Sequence, residues 1–410
     1  QRQMCIRDSI FIVGDEVPEG CISLNQMMQE PREKRYSPKE LEELFAKTKM
    51  PSTEVCELSH TTGSTGVPKL AEWPAVLGIT RTKDTVKKLG ITGNDVLGAL
   101  APGWGGMNNP VYHGGPLVGA KIVMLEHWDI VEAFKLIEKE KITYFAFTPT
   151  MLRQMLDHPD FDKHDFSSLR AIMVSGAPCP PGWPREAEEK FGAKVINTYG
   201  SRDLGSTASP TVDDPPEVRW ATAGKPNSWD EIHLLDENGK EVPKGEVGEV
   251  CVKAVTGSGG YFKNPEAVKQ AISADGLFHI GDLAKWDENG NLVIVGRAKN
   301  IIIRGGENIY PNEIENILGT HPKVTQVAVV KMPDPLFGER ACAYVSLKPG
   351  ETFTFDEMVS FLKSKGLAPF KLPERLEIVD KIPMVGDGTK VDLKGLEKDI
   401  ADKLKAEGKI

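Results

Sequence analysis

Residues 61–69 read Thr61-Thr62-Gly63-Ser64-Thr65-Gly66-Val67-Pro68-Lys69, and no other stretch is so rich in groups that bind anions. Two glycines let the backbone N–H groups turn toward one point. The hydroxyls and the Lys69 ammonium add donors suited to a polyphosphate. The stretch follows Glu54–His60, which reads as a strand, so it sits where a loop leaves a sheet. Taken alone it can also be read as a polar turn, though the density of anion-binding groups favours the phosphate reading. It is not the Walker phosphate loop, because GxxxxGK[ST] occurs nowhere in the chain.

Four further segments follow in order. They are Val174-Ser175-Gly176-Ala177-Pro178, then Asn197-Thr198-Tyr199-Gly200-Ser201-Arg202-Asp203, then His279-Ile280-Gly281-Asp282 with Gly296-Arg297-Ala298-Lys299 and Arg304 to Glu315, and last Ile382-Pro383 running to Lys390-Val391-Asp392. With the hydroxyl-rich loop, this set resembles the signature of the adenylate-forming enzymes: acyl-CoA synthetases, aryl-acid ligases, peptide-synthetase adenylation domains and luciferases. The order and rough spacing match over nearly all of residues 10–410.

The resemblance implies a role for each position. Thr61, Thr62, Gly63, Ser64, Thr65, Gly66 and Lys69 would hold the ATP phosphates. Ser175, Gly176, Ala177 and Pro178 would line the adenine, with Asn197 reading its exocyclic amine and Tyr199 stacking on its face. Asp282 would accept from the ribose hydroxyls, and Arg297 would contact ribose or phosphate with its rigid fork. Lys299 would be the hinge of a mobile small domain. Lys390 would bring together the carboxylate and the α-phosphate. Arg202-Asp203 stand where the family commonly has Thr-Glu, so Asp203, with Thr65, would direct Mg²⁺ from a shorter stem. Thr389 separates Lys390 from the glycine that usually precedes it, which keeps Lys394 in view as a second occupant. The acid pocket would draw on Trp104, Gly105, Met107, Asn108 and Asn109; as residues alone these equally make a surface loop. Read alone, Tyr199 fits a core position, Asp282 a turn and Lys390 a solvated surface.

The implied reaction is ATP-dependent activation of a small carboxylic acid to an acyl- or aryl-adenylate, followed by thioester formation with coenzyme A. Catalysis would rest on Lys390, Lys69 and Asp203. Three alternatives stay open: a stand-alone aryl-acid ligase that loads a carrier protein, an inactive nucleotide-binding remnant, and a kinase or ATPase, the last disfavoured by the missing Walker lysine.

These residues need a scaffold, and the pattern supplies one. Short β-branched runs at 10–13, 121–125, 143–147, 171–174 and 194–197 alternate with helical patterns such as Pro38 onward and 130–139, which predicts a large α/β domain with a parallel-rich sheet. From 231 to 295, short strands broken by ENG turns predict antiparallel hairpins. After Gly296 a small α+β pattern begins, with helices from Pro311 and Phe355 and a basic tail. The expected division is 1–297 for the nucleotide-binding domain and 298–410 for the mobile one. Residues 1–9 read as non-native sequence, and the large domain is expected to be truncated, since family members carry a longer segment before the phosphate loop.

Composition narrows the classes. The chain has 410 residues and a formal net charge of -9, a balance that disfavours nucleic acid and anionic membrane surfaces. No apolar run approaches the roughly 20 residues of a spanning helix. The six cysteines, without a CxxC pair, read as free thiols in a reducing cytoplasm rather than as a disulfide framework or zinc site. The acid and the oligomeric state are not written in the sequence.

Overall fold

The structure is a computed structural model that describes residues 11–12, 19, 22–23, 29, 36–48, 51–61, 69–100, 106–254, 257, 259–385 and 390–410. The chain forms two compact units, residues 1–54 and 55–410. In the first, Phe11–Ile12 pairs in parallel with Ile22–Ser23, and a helix spans Pro38–Thr48. That helix starts with a reciprocal cap. Ser37 Oγ accepts from the Glu40 N–H (3.3 Å), and the Glu40 carboxylate accepts from the Ser37 N–H (2.8 Å), satisfying two donors that a helix start leaves bare.

The second unit is built on a five-stranded parallel sheet. Its spatial order is Lys121–Met124, Val96–Ala99, Tyr144–Phe147, Ala171–Val174, Lys194–Asn197. Tyr144–Phe147 and Ala171–Val174 are buried at every position, because helices cover both faces of a parallel sheet. The edge strand Lys121–Met124 is covered less: only Val123 is buried, and Met124 is 61% exposed. The crossover helices begin on designed stops. Asp129 caps Ile130–Glu140 and Thr148 caps Pro149–Leu156, whose Pro149 needs no N–H partner in the first turn. The chain steps from Val96–Ala99 outward to Lys121–Met124, then returns to the other side of Val96–Ala99. That reversal opens a crevice at the carboxyl ends of the strands, where ligands bind in open α/β sheets.

Two antiparallel sheets follow. Tyr199–Ser201, Gly205–Ser209 and Lys225–Pro226 make the first. A Cβ on Gly200 would lie 2.1 Å from the Gly205 carbonyl oxygen, so the tight pairing beside Tyr199 admits only glycine. The second runs Asp230–Leu235, Gly248–Ala254, Phe278–Trp286, Leu292–Arg297 in simple up-and-down order, as the ENG turns predict. A buried bidentate pair ties the layers together. Arg81, on the helix Ala75–Lys88, donates to both Asp230 oxygens at 2.9 Å.

Beyond a short 3₁₀ turn at Ala298–Asn300 lies an α+β region. Its sheet carries Glu307–Ile309, Ile302–Arg304, Gly338–Leu347 and Val324–Asp334, with Arg375–Ile378 parallel to Gly338–Leu347. Strand alternation sends Val329, Ala343 and Val345 to one face, against Ile314, Met358 and Leu362. Ala328, Val330, Cys342 and Tyr344 go to the other face, against Leu396, Ile400 and Leu404. The residues read as a basic tail are therefore a helix, Leu393–Ala406, capped by Asp392. Leu396, Ile400 and Leu404 recur every four residues and form its buried stripe; the lysines occupy the remaining faces.

Candidate active site

Three of the expected segments follow strands of the parallel sheet at their carboxyl ends. Met107–Asn109 follow Val96–Ala99, Ser175 follows Ala171–Val174, and Tyr199 follows Lys194–Asn197. The Ser175 turn is fastened on both sides. Its N–H donates to Phe147 O at 3.1 Å, and its hydroxyl donates to Thr198 O at 3.0 Å. Gly176 takes φ +90, and a Cβ there would sit 3.7 Å from the Met107 methyl and 3.9 Å from Thr148. The segments expected to line adenine and acid thus meet at Gly176, Met107 and Thr148. Asn108 is fully buried and Asn109 partly exposed. Ala177 and Pro178 complete the turn. Asn197 ends its strand, partly buried. Trp104 and Gly105 lie outside the described residues.

The hydroxyl-rich loop is seen at its neck. Thr61 N–H donates to Lys69 O (2.8 Å), and Lys69 N–H donates to the Thr61 hydroxyl oxygen (2.9 Å). Thr61 therefore closes the loop, leaving its own O–H free to donate elsewhere. Thr62, Gly63, Ser64, Thr65 and Gly66 lie outside the described residues.

Tyr199, Asp282 and Arg297 come together, although 98 residues separate the first from the last. Asp282 and Arg297 are cross-strand partners in the hairpin of Phe278–Trp286 and Leu292–Arg297. Asp282 Oδ1 accepts from Arg297 Nε at 2.6 Å, and Oδ2 accepts from the Tyr199 hydroxyl at 2.8 Å. The Asp282 side chain is 12% exposed and that of Arg297 42%. Burial first, then the Asp282 charge and hydrogen bond, push the Tyr199 phenol well up, with Arg297 opposing. Each Asp282 oxygen keeps one lone-pair direction for a further donor. Lys299 lies in the same field. Burial, then repulsion from Arg297 and Lys394, hold its ammonium below the ordinary lysine value, with Asp282 opposing. Lys394, at the start of the last helix, thus acts on this cluster. Lys390 is in the two-residue strand Lys390–Val391, paired with Met384–Val385; its side chain is outside the description.

Asp203 sits in the turn between Tyr199–Ser201 and Gly205–Ser209. Its Oδ1 is buried with no hydrogen-bond partner among the described residues. A bare carboxylate oxygen in such a place is costly, and it fits a hard divalent cation such as Mg²⁺. Beside it, burial pushes the Arg202 guanidinium down, against the opposing charges of Glu57 and Asp203. The described residues also bring Glu249, Cys251 and His279 within ligating distance of one another. There His279 Nδ1 already meets Cys251 Sγ at 3.4 Å and Glu249 Oε2 at 3.1 Å. The trio satisfies itself by hydrogen bonds, and burial pushes the Cys251 thiol up to about 12, far from the thiolate that a metal takes. Sequence reasoning missed Thr148, Thr198 and Tyr261. Only the Gly259-Gly260-Tyr261 run ahead of an Asn-Pro helix start gave any local signal for the last.

The protein-family model for AMP-binding enzymes matches residues 12–262, and that for the AMP-binding enzyme C-terminal domain matches 313–389. The chain belongs to this adenylate-forming family, with its large α/β region and smaller C-terminal region. A putative acyl-CoA synthetase, YngI, from Bacillus subtilis is 34% identical over 363 residues, covering 84% of this chain and 64% of the relative. The 2,3-dihydroxybenzoate-AMP ligase of the same organism is 33% identical over 375 residues, covering 89% and 69%. ATP-bound MatB from Rhodopseudomonas palustris aligns with a TM-score of 0.78 at 27% identity, over 86% of this chain and 70% of MatB. The chain spans roughly half to two thirds of the length of the curated relatives it matches.

Proposed function

We propose that this chain carries the nucleotide site of an ATP-dependent carboxylic acid–CoA ligase. The observation that carries the reading is the hydrogen-bonded set Tyr199–Asp282–Arg297 at the carboxyl ends of the parallel strands. It combines a flat ring, a charged acceptor for ribose hydroxyls and a guanidinium for an anion. The Ser175–Pro178 turn, tied to Thr198 O through the Ser175 hydroxyl, would line the base beside it. The buried Asp203 Oδ1, without a hydrogen-bond partner among the described residues, supports a place for Mg²⁺, held by Asp203 and Thr65. When bound, the ion would neutralise charge on the phosphates.

The chain's own residues would work as follows. Lys69 draws the pyrophosphate end of ATP to the loop neck. Lys390 offsets the repulsion between two anions as a carboxylate oxygen attacks the α-phosphorus. The bond from that phosphorus to the bridging oxygen breaks, and pyrophosphate leaves with the electron pair. A thiol sulfur then attacks the acyl carbon of the adenylate, AMP leaves with its oxygen, and the thiol proton passes to solvent. No protein nucleophile is required; positioning does most of the work. Gly176, Met107 and Thr148 mark where the acid would meet the nucleotide, with Trp104, Gly105, Asn108 and Asn109 completing its pocket.

The boundary near residue 298 is supported by the cores. Buried clusters from Ile302 onward share no residue with those that precede Arg297. The turn Ala298–Asn300 joins them, with Lys299 as the hinge. Four described cysteines are free thiols, in keeping with a reducing compartment such as the cytoplasm. No helix among the described residues is long and apolar enough to cross a membrane.

The likeness to the 2,3-dihydroxybenzoate-AMP ligase supports one second reading, an aryl-acid ligase that charges a carrier protein. The experiment is acid-dependent exchange of pyrophosphate into ATP over a panel of acids, using this chain and a version extended at its N-terminus to family length. Thioester formation with CoA and with a carrier protein is then compared. Exchange without thioester on CoA rejects the first reading, and exchange with no acid rejects both.

A further inference from the structure

The Lys69 ammonium lies 4.1 Å from the centroid of the Tyr261 ring. The two residues are 192 positions apart, yet neither is loosely placed. Lys69 leads directly into the strand Leu70–Pro74, and Tyr261 forms an antiparallel bridge with Ala71. Phe262 N–H donates to Leu70 O at 2.8 Å, Glu72 N–H to Gly260 O at 3.0 Å and Gly259 N–H to Glu72 O at 2.7 Å. Residues 259–262 are thus laid along the strand that leaves the phosphate loop. Tyr261 is only 5% exposed and belongs to the core cluster with Ala71, Trp73 and Leu204. Packing fixes the ring, and the ring in turn offers a fixed seat to the cation.

That seat is electrically suited. An aromatic face carries negative charge density and attracts an ammonium. Burial first, then the charge and hydrogen bond of the Asp203 carboxylate, push the Tyr261 phenol up, so the hydroxyl is engaged by Asp203 while the ring face is left to Lys69. A lysine left to itself samples many rotamers, and ordering it on ligand binding costs entropy. Seating it beforehand at the loop neck removes much of that loss.

We propose that Tyr261 is a positioning residue that seats the Lys69 ammonium at the neck of the phosphate loop and thereby sets the affinity for the polyphosphate tail of ATP. The inference rests on the reading of residues 61–69 as the ATP-phosphate loop. Tyr261 acts through Lys69 and touches no reacting atom.

The test is calorimetric binding of ATP and of AMP to the wild-type chain and to Tyr261→Phe, Tyr261→Leu, Lys69→Met and the double variant Tyr261→Leu/Lys69→Met, with folding checked by circular dichroism. Phe keeps the aromatic face and Leu removes it. Tyr261→Leu is expected to weaken ATP about tenfold, on the order of a desolvated cation–π contact, and to leave AMP, which lacks the β- and γ-phosphates, unchanged. Tyr261→Phe, which keeps the ring but loses the hydrogen bond to Asp203, should leave AMP unchanged and weaken ATP clearly less than Tyr261→Leu does. On the Lys69→Met background, Tyr261→Leu should add nothing. Equal weakening of ATP and AMP by Tyr261→Leu would mean a structural role and overturns the inference. So does an unchanged ATP affinity, or a loss that persists without Lys69. If the wild-type chain binds neither nucleotide, the phosphate-loop reading falls and this inference falls with it. If it binds both and Tyr261→Leu is silent, only this inference fails.

Discussion

Replacing Asp282 by alanine removes the acceptor on which two other candidate nucleotide residues converge. In the wild-type chain its two oxygens take the Tyr199 hydroxyl at 2.8 Å and Arg297 Nε at 2.6 Å, and each oxygen can accept one bond more. A hydrogen bond to a charged acceptor contributes roughly 1.5–3 kcal/mol. Asp282→Ala should therefore weaken nucleotide binding by about 10- to 100-fold. ATP and AMP should suffer alike, because the ribose is common to both. Tyr199→Phe separates the ribose contact from the internal one. It keeps the ring for stacking and leaves Asp282 paired with Arg297, so ATP affinity should change by less than about threefold. Arg297, whose side chain is 42% exposed, can turn to water when its partner is lost. Tyr199 has less access and should lower the thermal midpoint of Asp282→Ala by a few degrees. Calorimetry with both nucleotides on the folded variants measures all of this. An Asp282→Ala protein that binds both as tightly as wild type removes Asp282 from the site. A variant that loses ATP but keeps AMP moves the residue's action from the ribose to the phosphate tail.

Glu315 is held between strand and helix, its carboxylate accepting the Val329 N–H at 2.8 Å, and burial pushes it up to about 7 from an ordinary 4.5. The folded state then binds more protons than the unfolded one between those values, so the stability this group contributes is full at or below about pH 4.5 and is lost as pH rises to about 7, by at most about 3 kcal/mol. Hydrogen exchange of the strand Val324–Asp334 should show less protection at pH 8 than at pH 5.5 once intrinsic rates are removed. Glu315→Gln should abolish that difference; equal protection of the two proteins at pH 8 refutes it. Asp230→Ala takes the balancing carboxylate from the buried Arg81 guanidinium, which is 5% exposed and keeps its bond to Ser206 O, and should cost about 3–5 kcal/mol in denaturant unfolding, whereas Arg81→Leu/Asp230→Leu should regain much of it; a double variant no better than the single one contradicts the electrostatic account. Lys390→Ala, in an N-terminally extended active version, should abolish acid-dependent pyrophosphate exchange yet still convert supplied acyl-adenylate and CoA to thioester. Equal loss of both half-reactions refutes the split role. If neither falls, Lys394, which already acts on Lys299, takes its place.

Four of the five parallel strands were legible as short apolar runs between helical patterns, whereas Val96–Ala99, with a glycine in its four residues, was not read as one. The readings at 171–174 and 194–197 coincide with the observed strands, and those at 121–125 and 143–147 differ by one residue. The hairpins were legible from their ENG turns, and Asp282 and Arg297 could be singled out because each sits in a compact motif. The final helix was misread because lysine abundance masked a four-residue apolar period. That period becomes meaningful only when Cys342 and Tyr344 present a face to cover.

What the sequence determined by itself is local: strand and helix patterns, turn residues, the glycines that tight backbone demands, and the order of the motifs. What only the tertiary structure decided is pairing at a distance. Nothing within a few residues of Tyr199 announces that its hydroxyl ends on Asp282. Nothing near Lys69 announces the ring of Tyr261, or near Asp203 that one oxygen is buried without a partner among the described residues. Local propensity acts over a turn or a strand, whereas a buried charge finds its partner where sheets stack, and sheet order is set by burial of the whole apolar surface at once.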